Sequence, residues 1–160
     1  MLQFQTDESA EVAKESKLAR PGFRQIVAGL RPFYEPAQLV GKSFVLLANL
    51  KNEKFKGQTS EGMLLTAVKG STKGLLTVDE KEAEAFGARI VPGLAAVPRD
   101  CVAEFKPNFD VKKNLSKLDL MTRGAAGVVC FGNSELLVDI GGGQTVTIVG
   151  DKAGEGAKLQ

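Results

Sequence analysis

The sequence predicts a mainly β domain: a small barrel or sandwich of short strands with one or two helices and an extension. Short apolar runs alternate with breaks rich in Gly, Pro, Asn and Ser along most of the chain. Eighteen glycines and six prolines provide the turns that many short strands need. Residues 79–86 and 111–120 carry the main helix-compatible patterns, and there are no heptads or solenoid repeats. At 160 residues with 43% hydrophobic content, the chain can bury a sizeable core as one domain, or one domain plus a packed extension.

Residues 2–5 (LQFQ) alternate as a short strand would, and the polar stretch that follows suits a loop or a short exposed helix. Together 1–20 read as a partial strand and an acidic polar segment. Pro21-Gly22 makes a turn, and 23–30 (FRQIVAGL) reads as a strand ending at Gly29. Pro32 and Pro36 interrupt the next stretch, where 36–40 fit one helical turn with Pro in first position. The apolar runs 44–47 and 63–65 read as two buried strands flanking a polar loop. That loop sets Lys51, Lys54 and Lys56 around Phe55, and is closed by Gly57 and then Ser60-Glu61-Gly62.

Residues 70–74 form a turn and 75–78 a strand, and 79–86 (DEKEAEAF) suit a helix with acids favourably near its N-terminus. Strand candidates follow at 89–91 and 100–105, separated by Pro92, Gly93 and Pro98. Residues 111–120 place Val111, Leu115 and Leu118 at i, i+4 and i+7, an amphipathic helix pattern. Three strand candidates, 127–131, 136–140 and 145–149, are joined by glycine-containing turns. The expected organisation is 21–98 as the main domain, 99–150 as a β-rich extension with a short helix, and 151–160 as a disordered tail.

The absence of histidine excludes Ser-His and Cys-His nucleophile pairs. With only Cys101 and Cys130, a zinc site is not expected, nor is a disulfide framework, and reduced thiols in the cytoplasm are expected. No metal, cofactor or catalytic residue is predicted. No apolar run is long enough for a membrane span, and Met1 does not lead into a signal-peptide pattern. The net charge of +2 is unevenly spread, because 17–73 hold ten bases against three acids. Such local concentration is the footprint of a phosphate binder, although a solvated basic face produces the same count.

Other motifs have plain readings. Gly41-Lys42-Ser43 lacks the upstream glycine of a P-loop, since residue 36 is Pro, and it precedes a strand. Gly141-Gly142-Gly143 lacks dinucleotide-site spacing, and Glu80, Glu82 and Glu84 fit a solvated face. The loop 51–56 reads either as a soluble hairpin tip or as a nucleic-acid contact in which Phe55 stacks on a base. The OB-fold, a five-stranded barrel whose loops and one face bind nucleic acid, gives the second reading a concrete form.

Five blocks in order across 24–64 carry a resemblance: RQIVAGL from Arg24, LVGK ending at Lys42, VLLANLK containing Asn49 and ending at Lys51, KFKG from Lys54, and SEGML from Ser60. They closely resemble the tRNA-binding domain family, which includes the C-terminal domain of many methionyl-tRNA synthetases and endothelial monocyte-activating polypeptide II. Residues 111–115, 127–131 and 135–138 more loosely resemble the extension of the polypeptide II subgroup, which packs on the barrel. The resemblance implies an OB-fold barrel and non-catalytic tRNA binding in support of aminoacyl-tRNA synthetases in trans. It implies RNA contacts at Asn49, Lys51, Lys54, Phe55, Lys56, Ser60, Glu61, Gly62 and Met63, with Lys42 and Arg24 nearby. Lysines would meet phosphates, Asn49 and Ser60 would hydrogen-bond, and Gly62 would admit close backbone approach.

Three departures accompany it. Glu61 stands where the family has Gln, and Asn52-Glu53 replaces a Pro-containing step. A carboxylate there would repel phosphate by about 1 kcal/mol at roughly 4 Å in water. The family's first strand precedes Arg24 by more than this chain holds, so the barrel is expected to lack it or to receive it from another chain, because an open sheet exposes an edge. The alternative function is a scaffold subunit of a multi-synthetase complex whose RNA binding has weakened or been lost.

Overall fold

The computed structural model describes the backbone of residues 2–5 together with residues 23–87, 94, 96–99, 110–117 and 119–160. The strand candidates at 89–91 and 100–105 and most of the acidic segment lie outside the described residues.

Strand β1 (Leu2–Gln5) pairs antiparallel with β2 (Phe23–Ile26), Leu2 opposite Ile26. A 3-10 turn follows at Pro36–Gln38, where Gln38 Oε1 accepts the Glu35 N–H at 2.9 Å. The two apolar runs become β3 (Leu46–Leu47) and β6 (Met63–Leu64), paired antiparallel as expected. Between them the polar stretch is itself a hairpin of β4 (Glu53–Phe55) and β5 (Gln58–Ser60).

Strands β7 (Thr66–Lys69) and β8 (Thr72–Val78) follow, then helix α1 (Glu80–Ala85). Asp79 caps α1 by accepting the N–H groups of Lys81 at 3.0 Å and Glu82 at 3.2 Å. The remaining elements are β9 (Ala96–Pro98), α2 (Val111–Asn114), β10 (Leu120–Arg123), β11 (Val128–Phe131), β12 (Ser134–Gly141), β13 (Gln144–Gly150) and β14 (Lys158–Leu159).

Seven of these strands close an antiparallel ring in the order β10, β14, β7, β8, β13, β12, β11 and back to β10, with β9 added along β12. The fold is therefore mainly β with a closed barrel, consistent with an OB-fold. The ring joins β7 and β8 to strands from the second half of the chain.

Strand β8 is the shared wall of two cores. Leu76 and Val78 point into the barrel with Ala67, Val129, Val146 and Ile148. Leu75 points the other way, onto Ile26, Leu30, Tyr34, Leu39 and Leu64. Both faces are covered, which explains why β8 carries the unbroken apolar pair Leu75-Leu76 in place of strict alternation. Backbone bonds from Val45 to Leu76, Leu65 to Val45 and Leu76 to Leu65, at 2.9–3.1 Å, tie the short sheets to this wall.

Several expectations are corrected: the strand over 23–30 ends at Ile26, and the turn over 70–74 gives way to β8 at Thr72. The predicted helix over 111–120 stops at Asn114 and passes through a 3-10 turn at Leu115–Lys117, because Leu120 already pairs with Phe131. Residues 151–160, expected as a disordered tail, complete the barrel. Met121 and Val68 both pair with Lys158, Ala157 is buried, and Gln160 exchanges backbone bonds with Thr66 at 2.8 and 3.0 Å. Small residues at 153 and 157 made this stretch look tail-like, yet small side chains are what the crowded seam between β10 and β7 admits.

Candidate nucleic-acid interface

The hairpin β4–β5 turns through two residues, Lys56 at φ 48° and Gly57 at φ 81°. A two-residue turn with both φ positive matches the right-handed strand twist, and Gly57 adopts that conformation without steric cost. Its strands are exposed up to Thr59, so turn geometry and the anchoring of β5 hold the loop, with little help from a hydrophobic face.

The anchor is a set of buried polar contacts at the base. Gln25 and Glu61 exchange bonds, with Glu61 N–H donating to Gln25 O at 2.8 Å and Gln25 N–H to Glu61 Oε2 at 2.5 Å. Arg24 donates to the carbonyls of Ala48 at 3.0 Å and Glu61 at 2.9 Å. Gln25 also donates to Thr59 O at 2.6 Å, while Ser60 Oγ accepts from Val27 N–H at 3.0 Å and donates to Gly62 O at 2.9 Å. These bonds satisfy backbone groups where β2 crosses β5, and fix the hairpin's direction.

The eleven residues implied as RNA contacts therefore separate. Glu61 is 2% exposed and Arg24 is 5% exposed, so both serve packing, and the Glu61 carboxylate does not face approaching phosphate. A Cβ on Gly62 would lie 2.8 Å from Leu47 O, so its close approach is to the protein's own backbone. Lys42 is exposed and sits 3.9 Å from Glu80 Oε1, and Asn49 is partly buried.

Beside the hairpin opens a groove of about 780 Å³, within the range that holds small ligands. Glu53 and Phe55 line it from one side of β4, as the strand period of two requires, and Lys51 lines it from just before the strand, whereas Lys54 does not line it and Lys56 stands at the turn. Leu30, Leu50, Met63 and Leu64 form an apolar part of its lining, with Ser60 and Gly62 at its base. Lys73, Asp110 and Val111 line it from other elements. Lys73 Nζ lies 5.9 Å from the Phe33 ring centre. Phe55 is 47% exposed, an aromatic face open to solvent.

Lys73 had been counted only as one of the bases of segment 17–73, and β8 brings it to the groove. Glu53, which the sequence presents as an acid that repels phosphate, lines the groove, and its two-residue spacing from Phe55 is the signal for that placement. Asp110 is committed to α2, accepting Lys113 N–H at 3.1 Å. Cys130 is buried, which pushes its thiol pKa up; Arg123 opposes that shift and Glu135 adds to it. Among the described residues no group of three or more acidic or Cys side chains is placed to hold a metal, and no helix is long and apolar enough to cross a membrane.

The closed β-barrel thus adjoins a partly apolar groove that carries Lys51, Lys73 and the exposed Phe55 ring. Residues 13–85, a little under half of the chain, match the family described as putative tRNA binding domain. The chain is 57% identical over 56 residues to a methionine–tRNA ligase of Thermotoga maritima, a match covering 35% of this chain and 9% of the ligase. It is 48% identical over 67 residues to the Thermococcus kodakarensis methionine–tRNA ligase, covering 42% and 9%. The chain thus spans only about a tenth of the length of these relatives. Its fold is similar to the crystal structure of the C-terminal domain of Plasmodium vivax p43, with a TM-score of 0.66, 20% identity and coverage of 99% of this chain and 94% of that one.

Proposed function

We propose that this chain is a non-catalytic tRNA-binding module that assists aminoacyl-tRNA synthetases in trans, in the cytoplasm. The observation that carries the reading is the groove in which Lys51 and Lys73 accompany an exposed Phe55. Lys51, Lys54 and Lys56 meet phosphates along the hairpin, Phe55 stacks on a base, and RNA is held mainly by shape and backbone. The buried Arg24, Ser60 and Glu61 hold that surface in place. The similarity to methionine–tRNA ligases over the same segment supports tRNA as the ligand and synthetases as partners. Raising the local tRNA concentration near an enzyme is the benefit such a module brings.

In this reading 21–98 contribute the RNA-binding unit and 99–150 the extension that docks synthetases or their cofactors. A partner chain supplies a strand beside β1, which pairs with β2 on its other side. The second reading, a scaffold with weakened RNA binding, is favoured by the exposed Glu53 carboxylate within the groove. A gel-shift titration with bulk tRNA at two salt concentrations separates the readings. The module binds tightly at low salt and loses affinity steeply at the higher one. A chain that retains synthetases after nuclease treatment but shifts no tRNA fits only the scaffold.

A further inference from the structure

Glu53 is out of place in a surface that meets only phosphate. Its carboxylate is exposed, lines the groove between Lys51 and Phe55 in sequence, and makes no hydrogen bond or ion pair among the described residues. Phosphate is repelled there, so the part of the ligand that faces Glu53 carries hydrogen-bond donors.

We infer that the groove takes an unpaired guanine, stacked on Phe55, with Glu53 accepting hydrogen bonds from its Watson–Crick edge and Lys51 and Lys73 holding the flanking phosphates. This rests on the RNA-binding reading and names the base it selects. An ionised carboxylate offers two acceptor oxygens and no donor. Guanine presents N1–H and the N2 amino group side by side, two donors that a carboxylate meets together. Adenine and cytosine set one amino donor beside a ring-nitrogen acceptor, and uracil sets one N–H between two carbonyls, so each brings a lone pair against the carboxylate.

The geometry fits this division of labour. Alternation along β4 puts the Glu53 carboxylate and the Phe55 ring on one side, Lys51 lines the same groove from just before the strand, and Leu50, Met63 and Leu64 provide an apolar lining for a base. Stacking alone is tolerant of sequence, so the carboxylate is what selects. The Asp110 carboxylate also lines the groove, but its Oδ1 caps α2 and its Oδ2 lies 3.8 Å from Lys113 Nζ, whereas the Glu53 carboxylate has no partner among the described residues.

The test uses the full chain and short labelled oligouridylates carrying one central guanosine, inosine or adenosine, titrated by fluorescence anisotropy, with bulk tRNA titrated in parallel. The guanosine strand binds about tenfold tighter than the adenosine strand, as a bidentate base contact gives, and inosine, lacking the N2 amine, falls between. Glu53→Gln brings the guanosine-to-adenosine ratio close to one. Phe55→Ala weakens both strands alike, about tenfold, while the ratio persists. Equal binding of the three strands, or a ratio unchanged in Glu53→Gln, overturns the inference. If tRNA still binds in that case, the RNA reading survives it. Guanosine preference without tRNA binding keeps the inference and overturns tRNA as ligand; no binding of any RNA overturns both.

Discussion

Replacing Tyr34 by Phe removes one oxygen from the junction of the two cores. The phenol donates to Asp151 Oδ1 and accepts the Leu75 N–H at 2.8 Å, with the ring buried beneath Lys152 Nζ at 3.6 Å from its centre. Leu75 N–H keeps a second partner in Asp151 Oδ1 at 3.1 Å, so Tyr34→Phe does not orphan it. The cost is then about 1–2 kcal/mol, the worth of a lost hydrogen bond to a carboxylate with modest residual desolvation. For a chain of this size that lowers Tm by about 2–8 °C, read by circular dichroism.

Burial first, and then the Asp151 hydrogen bond, push the Tyr34 phenol well above its ordinary value of about 10, the Leu75 N–H acting the other way. The neutral phenol is therefore favoured by folding. Its contribution is complete below about pH 10 and is lost as pH rises from there toward the folded pKa. Tyr34 is the only tyrosine and there is no tryptophan, so phenolate absorbance reads this one residue. Absorbance should rise together with unfolding, and the stability gap between wild type and Tyr34→Phe should narrow above about pH 10. A phenolate appearing near pH 10 with the far-ultraviolet spectrum intact, or a Tyr34→Phe melt indistinguishable from wild type, would refute this account.

Two further substitutions probe the framework. Gly62→Ala brings a Cβ to 2.8 Å from Leu47 O and 3.1 Å from Leu46 Cδ1, and should cost about 1–3 kcal/mol in denaturant unfolding; an unchanged midpoint would mean that β3 and β6 do not pack as described. Deleting 158–160 removes the two Thr66–Gln160 backbone bonds and the Thr66 Oγ1 bond to Gln160 at 3.1 Å. These three bonds alone, at about 0.5–1.5 kcal/mol each, predict a loss of at least about 1.5–4.5 kcal/mol, to which the lost pairing of Lys158 with Val68 and Met121 adds, whereas full retention of stability would restore the reading of that segment as a tail.

Much of the fold was legible because its signals are local. The apolar runs around 46–47 and 63–64, the acidic start of the helix within 79–86 and the glycine-closed turns each depend on a few adjacent residues. The misreadings arose where distant segments decide. Nothing local marks 158–159 as a strand, since its partners lie at Val68, Ala67 and Met121. The periodicity of 111–120 was cut short by a strand partner at Phe131. At the site, the lysines and Phe55 were legible as a basic loop, but which of them share a side depended on β4 being a strand. Glu61 seemed an obstacle to phosphate because burial is invisible in a motif, and its backbone partner Gln25 lies far back in the chain.

The central claim is that the segment 51–56, which leads into the β4–β5 hairpin and its turn, carries RNA affinity through its lysines. The most direct measurement is the tRNA binding constant across a range of salt concentrations, for wild type and for Lys51, Lys54 and Lys56 neutralised together as glutamines. The account predicts a steep loss of affinity with salt in wild type, and a slope shallower by about 2–3 in the triple variant, since each phosphate contact contributes about 0.7–0.9. Equal slopes and affinities in the two proteins, or no tRNA bound at low salt, would contradict it.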